Sequence, residues 1–161
     1  MLGPGRAGLS FLGALERVGW VAELPLGRGA DLSRAAHGVD LLVIATPDRF
    51  IAEAAAAVES VDSTVVMHLA GSFGLGPLEG HARAAALHPL VSLPDPSVGA
   101  ARLAAGAWFA VTGDPLARTI VEQLGGTRRA RLSRADERYS RFATPRQTSS
   151  RPSPRSLAEP Q

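Results

Sequence analysis

The chain has 161 residues, 45% hydrophobic but only 5% aromatic, with no cysteine, and its seventeen Lys/Arg positions are all arginine. That length suits one domain whose core is packed from small side chains. The missing cysteine excludes disulfides, thiol nucleophiles and thiolate metal sites, and the missing lysine excludes a Walker-type phosphate loop and Schiff-base catalysis.

The formal net charge of +2 hides an uneven distribution. From Met1 to Thr127, 8 arginines face 12 acids, whereas from Arg128 onward 9 face 3. A basic end with no aromatic residue after Phe142 reads as a solvated, disordered tail, so a nucleic-acid partner is not expected. No apolar run reaches the roughly eighteen residues of a membrane span, and no charged leader precedes an apolar stretch. The expectation is a soluble, cytoplasmic protein with no membrane partner.

The chain opens on Gly3-Pro4-Gly5-Arg6-Ala7-Gly8, a G-x-G-x-x-G spacing that runs directly into an amphipathic helix containing Leu9, Phe11, Leu12 and Leu15 and stopping at Gly19. In a dinucleotide fingerprint the first glycine permits the turn, the second lets backbone approach a pyrophosphate, and the third lets helix pack on sheet. The helix then aims its free N–H groups at the phosphates. Such a fingerprint follows a buried strand, yet only Met1 and Leu2 precede Gly3, so the expectation is a sheet whose first strand is truncated.

Trp20 to Leu26 reads as a second strand, closing on Gly27-Arg28-Gly29. A carboxylate at that tip would accept from a ribose 2′-hydroxyl, whereas an arginine accommodates a 2′-phosphate. Arg28 therefore favours NADP if the site binds a dinucleotide; as a surface charge in a glycine turn it needs no ligand. Asp31 to Ala36 reads as one or two helical turns ending at His37-Gly38. Val39 to Ala45 is a nearly continuous apolar run, as in a strand buried on both faces. It delivers Thr46-Pro47-Asp48 at its carboxyl end, and Thr46 and Pro47 would lie at the carboxyl edge where α/β ligands bind. Thr46 as N-cap and Pro47 at the first helical position would start a helix through Val58, with or without a cofactor beside them.

Thr64 to Ala70 is another apolar strand, carrying His68 as an interior histidine and opening into Gly71-Ser72, whose hydroxyl and N–H groups can face a substrate. Pro77 to Arg83 reads as a short helix. Ala84 to Leu87 is a short strand ending in His88-Pro89, and His88 is the best single candidate for acid/base chemistry. The same pair also makes a structural turn. No histidine has a partner at metal-ligand spacing.

Helices are expected at Ser97 to Leu103 and from Asp114-Pro115 to Leu124, the latter ended by Gly125-Gly126, and strands at Trp108 to Val111 and Arg128 to Leu132. Strand and helix alternate to about residue 132, the pattern of a doubly wound, mostly parallel α/β sheet. Residues 133–142 read as a linker or the first helix of a further domain. The final nineteen residues, 143–161, hold four prolines, four serines and three arginines and cannot build a core.

The series Gly3-Pro4-Gly5-Arg6-Ala7-Gly8, Asp40-Leu41-Leu42-Val43-Ile44-Ala45-Thr46-Pro47-Asp48, His68-Leu69-Ala70-Gly71-Ser72, Leu87-His88-Pro89-Leu90 and Gly113-Asp114 resembles a bacterial family of two-domain proteins. Their N-terminal half is similar to the NADP-binding domain of deazaflavin (coenzyme F420)-dependent NADP oxidoreductases, and their C-terminal half is a helical domain of uncharacterised function. The resemblance covers approximately residues 2 to 139. It implies a Rossmann domain, NADP as cofactor, and a dehydrogenase or reductase acting on a small-molecule substrate, commonly as a homodimer. By position, Gly3, Gly5, Arg6, Ala7 and Gly8 would face the pyrophosphate and Arg28 the 2′-phosphate. Thr46 and Pro47 would flank the nicotinamide ribose, with Gly71, Ser72 and His88 toward the substrate. The chain departs from the family's pattern at its short first strand and after Tyr139, where relatives continue into long helices. A truncation or frameshift near Tyr139 is therefore expected, together with poor solubility or a swapped dimer. A non-catalytic dinucleotide-binding module is the alternative expectation.

Overall fold

The structure, a computed structural model, describes residues 1–130. The expectations for 131–132, for the linker at 133–142 and for the tail at 143–161 lie outside the described residues. A glycine-rich turn leads into helix α1 (Arg6–Arg17), which Gly19 ends at φ +93°. Strand β1 (Leu41–Ile44) is followed by a 3-10 turn (Asp48–Phe50) and α2 (Ile51–Ala56). Next come β2 (Val65–His68), a 3-10 turn (Gly76–Leu78) and β3 (Ala84–Pro89). The series closes with α3 (Pro96–Ala104), β4 (Trp108–Gly113), α4 (Leu116–Gln123) and β5 (Thr127–Ala130).

The five strands lie in the order β1-β2-β3-β4-β5. All neighbours run parallel except β3 and β4, which pair antiparallel with Leu87 opposite Val111 and His88 opposite Ala110. Alternation along the strands divides the core between two faces. Val43, Val65, Met67, Ala85 and Leu87 pack with α1, α3 and α4 through Phe11, Leu103 and Ile120. Leu42, Ile44 and Val66 pack on the opposite face with α2 and the second 3-10 turn through Ile51, Ala55 and Leu78. Helices thus cover both faces of a mostly parallel sheet, the doubly wound, Rossmann-like arrangement expected from the sequence.

Of a first strand only one residue takes part in the sheet. Leu2 makes isolated parallel bridges to Leu26 on one side and to Ile44 on the other. Its N–H donates to Val43 O at 2.8 Å, and the Ala45 N–H donates to its carbonyl at 2.8 Å. The strand expected at Trp20 to Leu26 is consequently absent, apart from Leu26 itself. Strand geometry needs a partner backbone, and among the described residues no backbone hydrogen bond joins residues 21–25 to a neighbouring strand.

Three local expectations are corrected by hydrogen bonding. Residues 33–38 form turns, with i→i−3 bonds from Ala35 to Leu32 and from His37 to Arg34, and no α-helix. Only Gly76–Leu78 of the second expected helix turns, as a 3-10 segment. Thr46 caps nothing: Pro47 stays extended at ψ 143°, so the chain enters its 3-10 turn one residue later. By contrast, Asp95 caps α3 through Val98 N–H, and the Asp114 carboxylate accepts from Leu116 N–H at the start of α4.

Among the described residues no helix is long and apolar enough to cross a membrane. No cluster of potential metal ligands occurs among them either.

Candidate functional site

The carboxyl ends of β1, β2 and β3 and of Leu2 point to one edge of the sheet, where a cleft of about 610 Å³ opens. Its lining includes Gly3, Gly5, Arg28, Thr46 and Pro47, five of the residues that the sequence assigned to cofactor binding. The glycine turn and the 27–29 turn line it together with Glu53 and Ala54 of α2 and its C-cap residue Ala57.

Two of the three fingerprint glycines are required sterically, and the third leaves an open backbone face. Gly3 sits at φ +88°, and a Cβ there would lie 2.8 Å from the Ala45 backbone. A Cβ on Gly5 would meet nothing within 4 Å, so its backbone faces open space. Gly8 packs directly on the Gly3 carbonyl, and a Cβ on it would also lie 3.0 Å from the Ala45 side chain. The turn, the open approach and the helix-to-sheet contact therefore fall where the spacing predicts them.

Gly5 is the N-cap of α1, with no side chain closing it and no acid in the first turn. The first intrahelical acceptor bond is Leu9 N–H to Gly5 O, at 2.9 Å. The N–H groups of Arg6, Ala7 and Gly8 are therefore among the orphan donors of a helix start, beside an open backbone face. These three residues do not themselves line the cleft; their contribution is through the helix end.

Thr46 supplies an independent sign of a ligand. Its Oγ1 is buried and has no hydrogen-bond partner, and the residue lines the cleft. A buried hydroxyl without a partner costs about 1–3 kcal/mol, and a ribose or amide group in the cleft can supply the missing bond. The donor set, the open Gly5 face and this hydroxyl together fit a ligand that carries a phosphate and a hydrogen-bonding sugar or amide group.

Gly71, Ser72 and His88 gather one and two strands further along the same edge, outside the cleft lining. His88 belongs to β3 and does not follow it. Its Nδ1 lies 2.9 Å from Leu69 O; since a carbonyl only accepts, Nδ1 carries the proton and Nε2 presents a lone pair. The ring lies over Gly71, where a Cβ would come within 2.7 Å of Nε2. Ser72 Oγ donates to Asp48 Oδ2 at 2.6 Å, which ties the loop after β2 to the loop after β1. His68, by comparison, is fully buried, with Nε2 donating to Gly74 O and Nδ1 accepting from Ala70 N–H. It is the satisfied interior histidine the sequence predicted.

Two residues of this edge escaped the sequence reading. Asp48 is given no role of its own there, and Phe50 is not singled out. Phe50 lines the cleft and lies under the Arg49 guanidinium, 4.6 Å from the ring centroid. The available signal was their position, two and four residues beyond Thr46 at a strand's carboxyl end.

The sequence matches no family model and no curated protein. Solved structures do resemble the fold. Prephenate dehydrogenase from Aquifex aeolicus superposes with a TM-score of 0.64 at 18% identity, over 81% of this chain and 59% of that one. Arogenate dehydrogenase from Synechocystis gives 0.61 at 18% identity, over 81% and 58%. A pyrroline-5-carboxylate reductase from Coxiella burnetii gives 0.55 at 12% identity, over 84% and 58%. A further structure of the Aquifex enzyme is a complex with hydroxyphenyl propionate and NAD+. At these identities the likeness establishes the class of fold, a Rossmann-like α/β domain. The chain spans less than three fifths of the length of each of these proteins.

Proposed function

We propose that this chain binds NADP in the cleft above Gly3–Gly5 and forms the cofactor domain of an oxidoreductase that moves a hydride between NADP and a small-molecule substrate. The observation that carries the reading is the division of labour among Gly3, Gly5 and Gly8 beside the unpartnered Thr46 hydroxyl. The resemblance of fold to three dehydrogenases and reductases, one of them solved with NAD+, supports it. Arg28, at the cleft's far end, supports NADP over NAD, because its guanidinium suits a 2′-phosphate.

When bound, the nicotinamide supplies the hydride chemistry. The chain's residues orient it and handle the proton: the glycine turn and α1 hold the pyrophosphate, and Thr46 and Pro47 flank the adjacent ribose. His88 Nε2, with Nδ1–H fixed on Leu69 O, takes a proton from a substrate hydroxyl during oxidation and returns it during reduction. Gly71 leaves the space above that nitrogen's ring unobstructed by a side chain.

Calorimetric titration of the purified chain with NADPH and NADH tests the first half. Arg28→Ala is expected to weaken NADPH by roughly 10- to 100-fold, the worth of a charge-assisted hydrogen bond, and to leave NADH unchanged. A folded chain that ignores both dinucleotides would sink the reading. For the second half, His88→Gln is expected to retain NADPH binding and to lower turnover about 100-fold or more.

A second reading, a dinucleotide-binding module without catalysis, has one observation in its favour. Gly71, Ser72 and His88 stand outside the cleft, and the Ser72 hydroxyl is engaged by Asp48. NADPH binding with full insensitivity of any turnover to His88→Gln would select it.

A further inference from the structure

The cofactor cleft takes a stripe of side chains from α2. Phe50, the N-cap of that helix, Glu53, Ala54 and the C-cap Ala57 all line it, at the i, i+3, i+4, i+7 spacing that gathers residues on one helix face. Three of these four are apolar, and Leu26 and Leu32 line the same cleft. Leu2, Leu26, Leu32 and Ala54 pack in one apolar cluster. This lining suits a flat, uncharged ring.

Only three side chains that line the cleft carry a charge or a hydrogen-bonding group: Arg28, Thr46 and Glu53. The guanidinium suits a phosphate and the hydroxyl a ribose or amide group, which leaves the carboxylate without a role. The ion pairs among the described residues are His37–Glu59 and Arg83–Asp114, so Arg28 and Glu53 do not neutralise each other in the cleft. Glu53 is exposed, and as an ionised carboxylate it can only accept hydrogen bonds. It repels a phosphate by charge. The ligand group beside it is therefore uncharged and carries a donor.

We propose that Glu53 is a specificity-determining residue of the cleft, accepting a hydrogen bond from the N6 amino group of the adenine of the bound dinucleotide. The inference rests on the cofactor reading above, in which Arg28 takes the 2′-phosphate of the ribose that carries this base. Adenine presents one exocyclic donor, the N6 amino group. Hypoxanthine has an oxygen at that position and sets an acceptor against the carboxylate. Glu53 thus selects the base, while Arg28 selects the phosphorylated ribose. An acid in the first turn of α2 also favours the helix dipole, but that role is blind to the identity of the base.

The test is calorimetric titration of the 161-residue chain with NADPH and with its hypoxanthine analogue, repeated on Glu53→Ala and Glu53→Gln. The parent is expected to bind the adenine form roughly 10- to 100-fold more tightly, the worth of a hydrogen bond to a charged group. In Glu53→Ala the preference should fall to about threefold or less, because the carboxylate that tells the two bases apart is gone. Glu53→Gln should lose it too, since an amide donates to O6 as readily as it accepts from N6. A preference that is absent in the parent, or that survives both substitutions, overturns this inference and leaves the cofactor reading standing. A folded parent that binds neither form overturns both.

Discussion

Thr46 carries a buried hydroxyl without a hydrogen-bond partner, which is costly in the free chain. Thr46→Val keeps the shape and removes the unpartnered group. The ligand-free variant is therefore expected to be as stable as the parent or more so, by up to about 1 kcal/mol. NADPH should bind it more weakly, and calorimetry beside thermal unfolding would expose the opposite signs. A loss of stability without ligand would show that the hydroxyl has a partner. At Gly71 the expected outcome follows from contact distance. Gly71→Ala would bring a Cβ to 2.7 Å from His88 Nε2, so the ring must leave its place beside Leu69 O. Its NMR signature and any His88-dependent turnover should change, while dinucleotide affinity stays.

Between elements, α1 and α3 cross in close contact through Ser10, Gly13, Gly99 and Ala100. Ser10 Oγ donates to Arg6 O at 2.7 Å, and a Cβ on Gly99 would collide with that side chain. Gly99→Ala is expected to destabilise by about 1–3 kcal/mol, the range of an overpacked core, read as a shift in denaturant midpoint without a change in slope. A pH effect belongs to the start of α4. There Arg83 Nε and Nη2 donate to the Asp114 carboxylate at 2.9 and 3.0 Å, and this pairing, with the Leu116 N–H, holds the Asp114 pKa below its ordinary value. A carboxyl depressed on folding stabilises the fold above its unfolded pKa of about 3.9, and that contribution fades as pH falls through the lower folded value. Asp114→Asn should flatten the acid limb of the stability profile, and an unchanged limb would contradict the pairing. Much of this was readable in advance. Asp114 was foreseen as the start of α4, because an acid before proline is a local signal, and β1 and β2 were visible as apolar runs between breakers. Thr46 carried a similar local signal and misled, since Pro47 extends the chain before it turns. Trp20 to Leu26 misled for a non-local reason: its apolar residues fit a strand, but a strand exists only where a partner backbone reaches. The antiparallel β4 was located without its direction, because direction is set by the connection across α3 and leaves no periodicity in the sequence.

Across the whole molecule, the fingerprint loop hangs from the sheet by one residue. Leu2 contributes a single rung to each neighbour, and Gly3 follows it directly. A rung so short opens far more often than the interior of β2 or β3, and whenever it opens, the glycine turn leaves its station beneath the cleft. The affinity seen in solution is then the intrinsic affinity scaled by the fraction of molecules with Leu2 docked, so a half-docked population doubles the apparent Kd. Reciprocity makes the relation run both ways: a dinucleotide in the cleft would hold the rung closed by the same factor.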